Sequence, residues 1–200
     1  MVVRSFDFIN ICMAVSACQD FDIGGELNTW MTEAVAELIA SDYPFFAPIS
    51  RGIDCRDLHV DQKNRAQGHL GFHRWNMAAI LMSPNLRKWR VKRYLELYCA
   101  LFENSMLTNG SVAAWLYWCA KGCHRSVAWM SAESGILVAL GFDVHAVHAC
   151  RWYQMVQRCQ RNNRACSDCD PHDPVNSRIR DFAVTEFFEV LLVADSNCSV

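Results

Sequence analysis

No stretch of this 200-residue chain approaches the roughly 20 consecutive apolar residues that a membrane-crossing helix needs. A membrane partner is therefore not expected. An excess of charge of one sign is missing too: 19 Lys and Arg stand against 21 Asp and Glu, for a net charge of −2. Bulk attraction to nucleic acid or to an anionic membrane is thereby excluded, and any basic binding surface has to be local. There is no internal repeat. Asp7 and Asn10 interrupt the apolar stretches of the N-terminus, and no small-residue cleavage site follows cleanly, so a signal peptide is not expected.

What is present reads as globular. Apolar residues make up 52% of the chain and charged residues 20%, enough for one ordinary domain with a hydrophobic core and no covalent staples. Cysteine is abundant, at 11 residues, an odd number. Several lie inside apolar runs, as Cys99 and Cys119 do. That placement fits thiols acting as small hydrophobes in a cytoplasmic or other reducing intracellular compartment better than a disulfide framework.

The pattern along the chain predicts an α/β fold, a parallel or mixed sheet with flanking helices. Residues 1–50 read as an N-terminal helical addition, with a helix from about Leu27 to Ala40. Residues 51–155 form the main unit: a strand over Ile53 to Leu58, then an exposed polar loop from His59 to Gly71. A helix follows, begun by Ser83-Pro84 and carried to Glu103 with Val91, Leu95, Tyr98 and Phe102 inward. Val112 to Trp118 reads as a buried strand, Ser126 to Gly141 as a helix with Val127, Met130, Ser134, Leu137 and Val138 on its inner face, and Asp143 to His148 as a second strand. This is a βαβ unit, whose natural outcome is a parallel sheet. Residues 156–200 carry a Cys-rich segment and a last helix, about Ile179 to Ala194, with Phe182, Phe187, Val190, Leu191 and Ala194 inward.

The loop inside the βαβ unit, Cys119-Ala120-Lys121-Gly122-Cys123-His124-Arg125-Ser126, carries the chemistry. A helix N-terminus presents unpaired N–H groups and partial positive charge to whatever lies above it. Gly122 allows close backbone approach. Arg125 offers a planar fork matched to two phosphate oxygens and Lys121 a mobile charge, while Ser126 donates or caps. These features agree on an anion, phosphate-like ligand. His148, at the C-terminal end of its strand, lies where open α/β sheets bind ligands.

The same residues fit a second chemistry. Cys119 to Arg125 is Cys-x5-Arg, the spacing of phosphatases in which a cysteine thiolate attacks phosphorus. Such enzymes also need a general acid, usually an Asp some tens of residues upstream. Between Asp61 and Asp143 there is no aspartate. Asp54 or Asp57, on the earlier strand, would have to fold over the loop. A cysteine-dependent, dual-specificity-like phosphatase is thus the alternative to a non-catalytic binding protein.

With Gly-x-His-Arg-Ser-Val at Gly122 to Val127, preceded by Cys119 and an apolar strand, the segment resembles the C-terminal domain of the RapZ family of RNase adapter proteins. Asp54-Cys55-Arg56 matches an Asp-x-Arg of that domain, and Val144 to His148 with Arg151 is similar to its later strand. The resemblance spans about Ile53 to Arg151. It implies a RapZ C-terminal-domain-like fold and a non-catalytic pocket for a phosphorylated amino sugar, a nucleotide or a related anion. It also implies binding of small RNAs for presentation to a nuclease. The pocket residues it implies are Asp54, Arg56, Cys123, His124, His148 and Arg151, beside Lys121, Gly122, Arg125 and Ser126. The chain departs from the family in Cys123 and in His148-Ala149-Cys150-Arg151, and contains no Gly-x4-Gly-Lys-[Ser/Thr] motif.

Two further signals stand apart from the loop. Arg87, Lys88, Arg90, Lys92 and Arg93, with Trp89, form a basic and aromatic cluster, read either as a solvated helix face or as an RNA-facing patch. Arg151, Arg158, Arg161 and Arg164 with Trp152 and Tyr153 form another. Cys159, Cys166, Cys169 and His172 give Cys-x6-Cys-x2-Cys-x2-His, a donor set suited to a structural Zn²⁺.

Overall fold

The computed structural model describes residues 10–17, 49–58, 60, 69, 71–103, 112–119, 124–148, 166–170 and 172–197. Four parallel strands form its sheet: β1 (Asn10–Ala17), β2 (Ile49–Asp54), β3 (Val112–Cys119) and β4 (Asp143–His148), in the order β2-β3-β1-β4. Among the described residues four helices accompany them: α1 (Arg74–Leu81), α2 (Arg87–Glu103), α3 (Arg125–Ala139) and α4 (Pro174–Asn197). The fold class is α/β, as the strand and helix pattern predicts.

The N-terminal segment departs from expectation. Within residues 1–50, read as a helical addition, β1 lies inside the sheet, paired with β3 on one side and β4 on the other. Its sequence, Asn-Ile-Cys-Met-Ala-Val-Ser-Ala, is a nearly unbroken run of small and apolar residues, which suits a strand flanked by neighbours on both edges. The helix expected over Leu27 to Ala40 lies outside the described residues. At the other end, Ile179, Ala183, Phe187, Val190 and Leu191 of α4 belong to the same core as β3 and α3.

β3 is the buried spine. Trp115, Leu116, Tyr117, Trp118 and Cys119 are all buried, as expected of a strand covered on both faces. Trp115, Tyr117 and Cys119 point into the main core with Val127, Trp129, Met130, Ile136 and Leu137 of α3. Trp118, from the intervening position, lies over Gly52 of β2, where an added Cβ would come within 2.9 Å of the indole. β2 ends at Asp54, four residues short of the predicted end. There the chain turns: the Cys55 amide bonds the Trp118 carbonyl, and Asp54 captures the Arg56 amide in an Asx-type turn.

α1 occupies a stretch for which the sequence pattern predicts no element. His73 caps it by accepting the Trp75 amide, and Asn76, Met77, Ile80 and Leu81 form its buried face. α2 follows a 3-10 turn at Pro84–Leu86, so Ser83-Pro84 does start the helical stretch. Its inward face is only partly the predicted one: Val91 and Tyr98 pack against the core, but Leu95 is exposed while Arg90, Tyr94 and Leu97 are buried. Arg90 is drawn inward by Glu186 of α4, meeting it at 2.6 and 2.8 Å. Two further Arg90 bonds go to the carbonyls of Ile80 and Ser83, and Tyr94 donates to the same Glu186.

A second buried network fastens α3 to the sheet. Glu133 is fully buried and accepts from Arg51 of β2 at 2.7 Å, from the Tyr117 hydroxyl of β3 and from Trp129 Nε1 at 2.9 Å. The carboxylate is therefore satisfied from two strands and its own helix, the condition under which a buried charge is tolerated. Gly141, at φ 92°, ends α3, as its place in the sequence predicts.

Candidate functional site

In a parallel sheet every strand delivers its C-terminal residue to the same edge. Cys119 pairs with Ala17, Asp54 with Trp118, and His148 with Val15. The ends of β2, β3, β1 and β4 thus share one rim, and α3 starts at Arg125, six residues after the last of β3. This is the edge at which open α/β sheets take their ligands. His148 stands on it two strands away from β3, roughly 10 Å across the sheet.

The helix start carries three predicted residues. His124 occupies the N-cap of α3 without capping through its side chain. The amides of Arg125, Ser126 and Val127 precede the first intrahelical bond, from the Ala128 amide to the His124 carbonyl. Ser126 is fully buried, and its hydroxyl lies 3.2 Å from the Cys119 thiol. Arg125 is half-buried. Its Nη1 donates to the carbonyls of Arg56 at 2.6 Å and Leu58 at 3.2 Å, clamping the turn after β2 to the start of α3. Asp54 and Arg56 are therefore at the site, but as a closed pair: the Arg56 fork holds the Asp54 carboxylate at 2.6 to 3.0 Å.

Burial alone would push the Asp54 carboxyl up. The hydrogen bonds and charge of Arg56, with Arg93 behind it, overcome that and hold it below its ordinary value. Cys55, fully buried next to Cys119, has its thiol pushed well up by burial and by the neighbouring acidic groups. Lys121, Gly122, Cys123 and Arg151 lie outside the described residues, as does the side chain of His148.

Two contributors escape the sequence reading. Gly71, expected in an exposed loop, is buried against the first turn of α3. A Cβ there would meet the His124 carbonyl oxygen at 2.3 Å, Val127 Cβ at 2.7 Å and the Ala128 amide at 2.8 Å. Arg93, from the basic cluster of α2, reaches the rim, donating to the Asp54 carbonyl at 3.0 Å and pairing with Asp57 at 3.3 Å and Glu96 at 2.8 Å. A conserved spacing signal for either is absent from a single sequence: both act through contacts tens of residues away.

Three more members of that cluster face a carboxylate, while Lys88 is exposed. Arg90 is a buried strut, Arg87 lies 3.8 Å from Glu186 and Lys92 3.8 Å from Glu96. The cluster is thus neither a fully solvated face nor an open basic patch. Cys99, read as a small hydrophobe, is exposed, whereas Cys55 and Cys119 are buried.

The candidate metal ligands are placed differently from their expected grouping. Cys166 and Cys169 flank a 3-10 turn (Ser167–Cys169), and both sulfurs face His69 Nδ1, at 3.7 and 3.6 Å. His172 is exposed, and among the described residues it joins no such cluster. Cys159 lies outside the described residues. A separate cleft of about 520 Å³ opens between α1 and α4, lined by Arg74, Trp75, Met82, Val175 and Ile179, and contains none of the rim residues.

No helix among the described residues is long and apolar enough to cross a membrane. Comparison with protein-family models, with curated proteins and with solved structures gives no significant match.

Proposed function

We propose that the rim where β3 passes into α3 binds a phosphorylated small molecule, and that the protein holds this ligand rather than hydrolysing it. One observation carries the reading: the first turn of α3, without a side-chain cap and with Arg125 anchored beside it, starts at the C-terminal edge of a parallel sheet next to the Asp54–Arg56 turn. Amides at a helix start and a fixed guanidinium form a matched anion receptor. In this arrangement the first-turn amides and the Nε and Nη2 donors of Arg125 take phosphate oxygens, with Lys121 and His124 adding charge from the loop. Asp54, through its bidentate grip on Arg56, keeps the turn in shape. The RapZ-like motif supports the same reading, since Asp54 and Arg56 of its Asp-x-Arg lie at the same edge as Cys119 and Arg125. A phosphosugar or a nucleotide is the ligand class it favours, ahead of RNA, since Arg90 and Arg93 of α2 are held by carboxylates rather than turned outward together.

The 3.2 Å approach of Ser126 Oγ to Cys119 Sγ favours a second reading, the Cys-x5-Arg phosphatase, in which such a hydroxyl would stabilise a thiolate. Against it stands the lack of a proton donor. Asp54 is held ionised by Arg56, and Asp57 is paired with Arg93, whereas a general acid must arrive protonated.

Titration calorimetry with inorganic phosphate, phosphosugars and nucleotides tests the proposal, alongside turnover of an artificial phosphate ester. Binding that falls about tenfold or more in Arg125→Ala, from loss of a charge-assisted bond, with no turnover, is the expected result. Turnover abolished by Cys119→Ser would overturn the binding-only reading.

A further inference from the structure

The geometry points to a structural zinc site built from His69, His73, Cys166 and Cys169, a Cys-x2-Cys pair facing a His-x3-His pair. The ligand atoms of His69, His73 and Cys166 all lie within 4.8 Å of one another, and Cys169 reaches His69 from the same 3-10 turn as Cys166. The spacing is informative. With Zn–S near 2.3 Å and Zn–N near 2.05 Å, the sulfur-to-nitrogen edge of a tetrahedron is about 3.6 Å. The two edges found here are 3.7 and 3.6 Å, lengths that a shared ion requires and that a thiol–imidazole hydrogen bond also takes, so it is the convergence of the donors that argues for the ion. Two thiolates and two imidazoles in this arrangement select zinc over hard cations.

The surroundings supply what a zinc histidine requires. His73 is buried, with its Nε2 3.6 Å from the Asp168 carboxylate, and Nδ1 holds the lone pair that accepts the Trp75 amide. A ring whose Nε2–H faces a carboxylate presents Nδ1 to a metal as a more basic donor. Asp168 sits between the two cysteines and is itself tied to Arg74. The ion takes the Nδ1 lone pair from the Trp75 amide, and the two His rings, already 4.3 Å apart, turn toward it. Cys169 lies outside the trio whose atoms come within 4.8 Å, and moving in from its 3.6 Å approach to His69 makes it the fourth ligand, which closes the site and gives it a role in holding structure rather than in activating water.

What it holds is specific. His69 and His73 bracket Gly71, the residue pressed against the first turn of α3. Zinc would thereby pin the segment that positions the helix start to the stretch just before α4. The site stands on its own whether or not the rim binds phosphate.

The full chain, purified under reducing conditions with zinc present, should carry about one zinc per molecule, as a four-ligand site requires. Cobalt substitution should give the intense visible bands of tetrahedral Co²⁺ with thiolate-to-metal charge transfer, a readout that needs no variant. His69→Gln and Cys169→Ser should weaken metal binding by more than the roughly 100-fold that loss of an outer-shell contact costs. His69→Cys, which restores a ligand, should retain the metal and strengthen the charge-transfer band. Three results would overturn the site: no uptake of zinc or cobalt by the reduced wild-type chain, an octahedral cobalt spectrum, or metal kept in His69→Gln but lost in His172→Gln.

Discussion

Gly71→Ala is the most direct perturbation of the way the rim is built. The added methyl would lie 2.3 Å from the His124 carbonyl oxygen, 2.7 Å from Val127 Cβ and 2.8 Å from the Ala128 nitrogen. Two of those three atoms are backbone, so no rotamer change relieves them, and the segment has to separate from α3 by about 1 Å to restore ordinary contact. Overpacking of this kind costs about 1 to 3 kcal/mol. A gain of about 0.4 to 1 kcal/mol from the stiffer unfolded chain offsets part of it. Net destabilisation should be about 1 to 2 kcal/mol, which in a chain of this length lowers the melting temperature by roughly 2 to 8 °C. The functional effect should be larger than the stability effect suggests. A 1 Å shift of the first turn of α3 moves its amides out of hydrogen-bonding range of a bound phosphate, and losing one charge-assisted bond weakens binding by about tenfold or more. Thermal melting and phosphate calorimetry on the same preparation read both. A variant that melts with the wild type and binds phosphate equally well would refute the close approach and the positioning role together.

Other consequences are as specific. Arg90→Met strands the buried Glu186 carboxylate with the Tyr94 hydroxyl and Arg87 at 3.8 Å, and should cost about 3 to 5 kcal/mol in denaturant unfolding. Arg90→Met with Glu186→Leu should recover most of that loss, because the uncompensated charge is gone. Asp54→Asn tests the acid side of stability. The folded-state pKa of Asp54 is depressed by Arg56, so its contribution is fully present above the ordinary carboxylate value of about 3.9 and fades as pH falls through the lower folded value. The gap between wild type and variant, measured as melting temperature against pH, should therefore be widest above pH of about 4 and close below it.

How much of this was legible in the residues depends on whether a signal is local. β4 follows its predicted bounds, β3 runs one residue further, and α3 starts at the Arg-Ser pair, because strand, loop and helix are written in consecutive residues. Inner faces were harder. Val127, Met130 and Leu137 are buried as expected, yet Val138 is 58% exposed and Leu95 38% exposed. On one helix a Leu reads as buried and an Arg as exposed. Here Arg90 took the interior because Glu186, 96 residues away, met it there. The proposed zinc ligands follow the same rule: Cys166 and Cys169 are a local pair, but the one histidine both of them face, His69, lies 97 and 100 residues upstream. His172, the nearest imidazole in sequence, was the natural partner only along the chain.

The choice between holding a phosphate and cleaving it turns on carboxylates rather than on the cysteine. A thiol beside a helix start with a hydroxyl at 3.2 Å is compatible with either chemistry. Cleavage also needs a proton for the leaving oxygen, and each candidate donor on the β2 turn is committed to a cation: Asp54 to Arg56, Asp57 to Arg93. Both cations are held in turn, Arg56 through its backbone carbonyl to Arg125 and Arg93 by Glu96 and the face of Trp89. Freeing either acid means breaking a pair and loosening the clamp on the anion loop in the same step. On the proposed reading the pairs that would have to open for catalysis are the ones that fix the β2 turn beside Arg125, which supports holding an anion over cleaving it, with the first-turn amides and Arg125 rather than the paired cations as the receptor.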